Sequence, residues 1–194
     1  IKAGDISRLA VLRETGVFKV DIDSAVWSEE EPDDCDNVVF YSPLALAAAV
    51  GDVAVMKWLL DNGAAVEDSR AWRKHPSHAA AQVNNIAGLL LIQEQKSIGK
   101  GDVMRHNDYH RNTPAHAAAA KGHLDVLKLF DSWGDIQPQS FLMNKIEQTP
   151  SWVAHTHKFF ACADFLLETG KALPGIIADY IKGGRWQQLD SLRR

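Results

Sequence analysis

The sequence predicts an all-α fold: a solenoid of stacked helix-turn-helix units with protruding hairpin loops and a C-terminal helical cap. Three observations predict it. A proline recurs at Pro43, Pro76, Pro114 and Pro150, at intervals of 33, 38 and 36 residues. An apolar, mostly Ala-rich run follows each one, and a turn position falls eight residues beyond it, at Gly51, Asn84, Gly122 and Lys158. Self-similarity at such a period marks an array of small units, none able to bury its apolar side alone. The composition fits a folded chain, with 46% hydrophobic and 24% charged among 194 residues, and excludes a disordered tail or a collagen-like fibre.

Proline suits the first position of a helix, where its missing N–H has no intrahelical partner. Ser42, Thr113 and Thr149 directly before three of the prolines can cap the exposed donors. The Ala-rich runs then form a slim first helix. Gly and Asn tolerate the left-handed backbone that ends many helices, and Lys158 fits that role less well. Counted from the turn residue, apolar side chains recur at offsets 2, 5, 7 and 8. They are Val53, Met56, Trp58 and Leu59; Ile86, Leu89, Leu91 and Ile92; Leu124, Leu127, Leu129 and Phe130; and Phe160, Ala163, Phe165 and Leu166. That spacing lays one stripe along a second helix. Gly63, Lys96, Gly134 and Gly170 stand twelve residues past each turn, and Gly4 and Gly16 repeat the interval. Ile6, Leu9, Val11 and Leu12 then supply an earlier stripe, so the chain is expected to open inside a repeat and, starting at Ile1, to be a trimmed piece of something longer.

The stretch Thr113-Pro114-Ala115-His116-Ala117-Ala118, followed by Gly122-His123 and an apolar second helix, resembles the ankyrin repeat. Ser42-Pro43-Leu44-Ala45-Leu46-Ala47 follows the same design, with weaker copies from His75 and Thr149. The resemblance implies about five repeats, the first truncated at the N-terminus. Residues 1–170 form the repeat domain, with an acidic insertion near 24–36, and residues 171–194 form a helical cap or a further irregular unit. Six carboxylates within Ser28 to Asp36 predict a solvated loop, and a smaller insertion lies around Ser97 to His106.

A net charge of −4 argues against a dedicated nucleic-acid binder, and no apolar run reaches the ~20 residues of a membrane span. Cys35 and Cys162 form no disulfide framework. His78 and His116 hold the histidine slot of the repeat signature, which implies hydrogen bonds that stabilise hairpins, and His123 follows the turn glycine. His106 and His110 are four apart without further ligands at zinc spacing. Cys162, near His155 and Asp164, suggests a nucleophile, but it occupies the small apolar slot also held by Val55 and Val126. Trp58, Trp133 and Trp152 fall at packing positions. No catalytic residue, cofactor or metal is expected.

The resemblance implies a binding surface made of hairpin tips and the exposed ends of the first helices. The tips are Val38, Val39 and Tyr41; Ala71, Trp72 and Lys74; Tyr109, His110 and Asn112; and Lys145, Ile146 and Gln148. The first-helix ends are Ala49 and Val50; Gln82 and Val83; Ala120 and Lys121; and Thr156 and His157. Aromatic residues and Arg dominate binding hot spots. The expected partner-binding residues are therefore Val38, Val39, Tyr41, Arg70, Trp72, Arg73, Lys74, Tyr109, His110, Arg111, Lys145 and Ile146. The function expected is a non-enzymatic protein-interaction module, monomeric and cytoplasmic, binding a protein segment that is acidic where it meets the basic tips. The alternative is a targeting or substrate-recruiting fragment of a larger enzyme or bacterial secreted effector. A third reading places activity at Cys162 and His155.

Overall fold

A computed structural model describes residues 27–29, 39–66, 73–95, 107–108, 110–133 and 143–168. Eight helices lie among them, in four consecutive pairs. The pairs are α1 (Pro43–Val50) with α2 (Val53–Asp61), α3 (Pro76–Gln82) with α4 (Ile86–Gln93), α5 (Pro114–Lys121) with α6 (Leu124–Ser132), and α7 (Pro150–Thr156) with α8 (Phe160–Glu168). None is long and apolar enough to cross a membrane. The expected earlier repeat, Cys35, the insertion around Ser97 to His106 and the C-terminal cap lie outside the described residues.

Every first helix starts with its proline, and the residue before it closes the end. Ser42 Oγ accepts from Ala45 N (3.1 Å), and Thr149 Oγ1 accepts from Trp152 N (3.3 Å). At Thr113 the exchange is reciprocal, since the His116 ring accepts from Thr113 N (3.0 Å) while Thr113 Oγ1 accepts from His116 N (3.4 Å). His75 performs the same task with Nδ1, which accepts from Ser77 N (3.2 Å), a cap that only the fold reveals. Such caps contribute about 1 kcal/mol each.

The four turns close identically. The N–H nine residues after each proline donates to the carbonyl five residues back: Asp52 to Ala47 (3.1 Å), Asn85 to Ala80 (2.9 Å), His123 to Ala118 (3.0 Å) and Phe159 to Ala154 (2.9 Å). This closure requires a left-handed residue between helix and donor. Gly51, Asn84, Gly122 and Lys158 supply it, with φ of 82°, 58°, 75° and 66°. Lys158 therefore adopts the conformation its side chain disfavours, because its neighbours leave no other way to form the bond.

The first helices stack in order, α1 on α3, α3 on α5 and α5 on α7, while α2 packs on α4, α4 on α6 and α6 on α8. On the second helices, the residues at offsets 5 and 8 are fully enclosed, namely Met56 and Leu59, Leu89 and Ile92, Leu127 and Phe130, and Ala163 and Leu166. Burying each of the larger ones stabilises the fold by roughly 1.5–3 kcal/mol. Trp58, Leu91, Leu129 and Phe165, at offset 7, are only partly buried against this core, and Phe160, at offset 2, is exposed. The stripe thus turns towards offset 4, where Val55, Val126 and Cys162 are buried.

A small sheet sits at the hairpin side of the first two pairs. Its strands are β1 (Trp27–Glu29), β2 (Val39–Tyr41) and β3 (Arg73–Lys74), in the order β1-β2-β3. β2 pairs antiparallel with β1, Trp27 opposite Tyr41, and parallel with β3, Tyr41 opposite Lys74. The Val39-Phe40-Tyr41 run, expected to be an apolar tip awaiting a partner, is the central strand, which is why it is built of strand-favouring residues. Ser28 and Glu29, expected within a solvated loop, are likewise paired strand residues.

Gly122→Ala would set a Cβ against the Phe159 ring at a positive φ, so it is expected to destabilise the chain by roughly 2–4 kcal/mol. Lys158→Gly removes the same kind of strain and is expected to stabilise by about 0.5–1 kcal/mol. Urea denaturation of the two variants reads both signs.

Candidate functional site

Two consecutive hairpin tips are built by the same device. Asp108 Oδ1 accepts from Asn112 N (2.7 Å) and its Oδ2 from Asn112 Nδ2 (3.0 Å), with Arg111 left-handed between them at φ 58°. Thirty-six residues later, Asn144 Oδ1 accepts from Ile146 N (3.1 Å) and Gln148 N (2.9 Å), with Glu147 at φ 60°. The tips are joined to each other as well. Lys145 N donates to His110 O (2.8 Å), and Asn144 Nδ2 donates to Asn112 Oδ1 (3.0 Å).

The signature histidines anchor these tips to the helices. His78 Nε2 donates to Asn112 O (2.6 Å), and His116 Nε2 donates to Gln148 O (2.9 Å), each reaching from one unit into the next. Because His116 Nε2 must carry the proton, Nδ1 is free to accept from Thr113 N (3.0 Å) and from the Thr113 hydroxyl (2.9 Å). A second proton on Nδ1 would break the bond from Thr113 N, while the hydroxyl could turn to accept from it. Burial pushes the His116 pKa below its ordinary 6.5, against smaller upward pulls from the Gln148 carbonyl and Asp108. His123 Nε2 donates to Gln82 O (2.9 Å), also bridging units. These three histidines are structural, as their signature positions imply.

Between the tips and the ends of α5 and α7 lies a cleft of about 370 Å³. Ala117 and Ala120 line it from α5, His110, Lys145 and Ile146 from the tips, and Lys121 and His157 from the helix ends. Ile146 is 70% exposed, a large apolar side chain held in water by a tight turn. Asp108 is the one carboxylate among the described lining residues, and both its oxygens are engaged by Asn112. Lys121 and Lys145 are the two lysines among the described lining residues.

The expected binding residues separate into groups. His110, Lys145 and Ile146 come together in this cleft, and Arg111 stands exposed in the same turn. Tyr41 does not join them. It is 5% exposed and belongs to the hydrophobic core, because its strand lies between two others with the next repeat packed alongside. Val39, Arg73 and Lys74 are placed by their backbones in β2 and β3. Val38, Arg70, Trp72 and Tyr109 lie outside the described residues. Asp108 and Asn144 were not singled out in the sequence, although both stand six residues before a proline, a register that would have marked them as turn builders.

Cys162 is buried, and its thiol pKa is raised by desolvation first and by Asp125 second, so the thiolate needed for nucleophilic attack is disfavoured. His155 stacks obliquely near Trp152 and Phe160, with ring centroids 6.3 and 5.9 Å away. Among the described residues no group of three or more His, Cys, Asp or Glu side chains could hold a metal ion.

Comparison with known proteins agrees with this geometry. The family model of ankyrin repeats matches residues 44–139 in three copies. The α7–α8 pair lies beyond that match and repeats the same cap, turn and stack. No curated protein matches the chain.

In unfolded chains the His116 position takes up a proton near pH 6.5, whereas in the folded chain it resists. Stability is therefore expected to fall as the pH drops below about 6.5 and to be unaffected by this group above it. His116→Gln should shallow that fall in urea titrations across the same range. Iodoacetamide is expected to leave Cys162 intact in native buffer and to modify it in urea, as peptide mapping would show; rapid native labelling would contradict the burial.

Proposed function

Because this chain is an ankyrin-repeat protein, we propose that it is a non-enzymatic binding module that captures a partner protein on the face formed by its hairpin tips and first-helix ends. The observation that carries this reading is the cleft where Ile146 stands 70% exposed beside Lys121 and Lys145, and where Asp108, held by Asn112, is the one carboxylate among the described lining residues. A large apolar side chain in a rigid turn, framed by cations, offers an anchor with little ordering cost on binding. The backbone beneath is cross-linked by hydrogen bonds from both sides, so the face is formed before a partner arrives. Protein segments carrying an apolar side chain next to carboxylates match it best. The buried Cys162 lends no support to a catalytic role.

Affinity capture with the chain, in parallel with a Lys145→Glu/Ile146→Asp variant, tests this. Both substitutions fall on exposed positions, so unfolding midpoints should agree within experimental error. The expected result is a set of proteins retained by the chain and lost on the variant. Identical retention by both would refute a partner site on this face.

A further inference from the structure

Of the chain's asparagines, Asn62 is the one followed by glycine. That dipeptide has a chemistry of its own. The Gly63 nitrogen, with no Cβ beside it to hinder approach, can attack the Asn62 side-chain carbonyl. A C–N bond forms between Gly63 N and Cγ, the amide proton passes to water, and ammonia leaves, closing a five-membered succinimide. Water then opens the ring at either carbonyl, giving aspartate or isoaspartate. The net change is one water taken up and one ammonia released, with no oxidant, reductant or cofactor.

The fold engages both reacting groups. Asn62 is the C-terminal cap of α2, and Gly63 follows it at φ 88°, a conformation open to glycine without strain. Gly63 N donates to Leu60 O (3.0 Å) and Ala64 N donates to Leu59 O (3.0 Å), the paired closure with which a helix ends on a left-handed glycine. The attacking nitrogen is therefore one of the two donors of that closure. The carboxamide is held as well, because Asn62 Nδ2 donates to Trp58 O (2.6 Å), one turn back. Leu59 and Ala64 both belong to the hydrophobic core, so the closure is pinned from either side. Gly63 itself is exposed, and water reaches it.

We propose that Asn62–Gly63 is a deamidation site that the closed end of α2 protects, reacting only in molecules whose last α2 turn has opened. The inference is independent of the binding reading. Refolding does not reverse the reaction, so an opening that leads to it is final. Aspartate at position 62 loses the donor to Trp58 O and sets a second carboxylate, after Asp61, at the negative end of α2. Isoaspartate also lengthens the main chain by one carbon, which displaces Gly63 N from Leu60 O. Either product weakens the closure that had protected the site.

The test incubates the full chain at mildly alkaline pH, in buffer and in urea, until half of Asn62 has reacted in urea. Peptide mapping by mass spectrometry reads deamidation at each asparagine, and isoaspartyl methyltransferase labels the isoaspartate. Helix ends open more readily than whole molecules, so Asn62 is expected to react roughly 30-fold more slowly in the folded chain than in urea. Leu59→Ala should raise the folded-state rate and leave the rate in urea unchanged. Urea below the unfolding transition opens the same turn without a substitution, and should raise the rate before far-UV circular dichroism changes. Asn62→Asp, standing in for one product, should lower the urea midpoint. A folded-state rate equal to that in urea overturns the protection, and no reaction at Asn62 in urea overturns the site. A rate that rises only in step with global unfolding overturns the local opening, and an unchanged midpoint for Asn62→Asp overturns the weakened closure.

Discussion

Everything in this fold depends on how closely the first helices approach one another. Ala45, Ala48, Ala79, Ala80, Ala115, Ala118, Ala119 and Ala154 are enclosed almost completely, and no larger side chain would fit in their place without parting the stack. Because alanine fills so little volume, the bulk of the core comes from the second helices, through Met56, Leu89, Ile92, Leu127, Phe130 and Leu166. One layer sets the spacing and the other supplies the apolar burial. A hairpin isolated from its neighbours would have neither.

The close stack also explains a set of side chains that reach backwards. Asn85 caps α4 through Gly88 N (2.8 Å) and turns its amide towards Ala48 O (3.3 Å) of the preceding unit. Gly88 costs about 0.5–1 kcal/mol relative to alanine in a helix, and it is there because a Cβ would run into the Asn85 amide. At the equivalent place His123 reaches Gln82 O, and Phe159 lies against Gly122. Polar reach in two units and an aromatic ring in another serve the same end, holding each first helix to the turn that follows it.

That rigidity is what makes the tips usable as a surface. His78 and His116 tie successive tips to successive helices, and Asp108 and Asn144 fold each tip on itself. The exposed residues between these fixed points, His110, Arg111, Lys145 and Ile146, project from backbone that cannot relax to bury them. Their exposure follows from turn geometry, and under the proposed function a partner would cover them.

Much of this was legible in the residues alone, because a repeat writes the same local rules several times. The prolines, caps and turn positions are short-range devices, and agreement among four copies identified the helices, the turns and the packing slot of Cys162, while the resemblance to the repeat signature implied the hydrogen-bonding role of His78 and His116. Even Lys158, the least suitable turn residue, sits where the count placed it. What the one-dimensional pattern could not decide was which apolar residues had neighbours. Val39, Phe40 and Tyr41 read as a binding tip because nothing local shows that Trp27–Glu29 and Arg73–Lys74 flank them as strands. Val50 and Val83 carry the same side chain as Val55, yet two are in water and one is in the core. Periodicity specifies how a unit folds on itself, whereas burial depends on the unit stacked beside it, and only the assembled array supplies that neighbour.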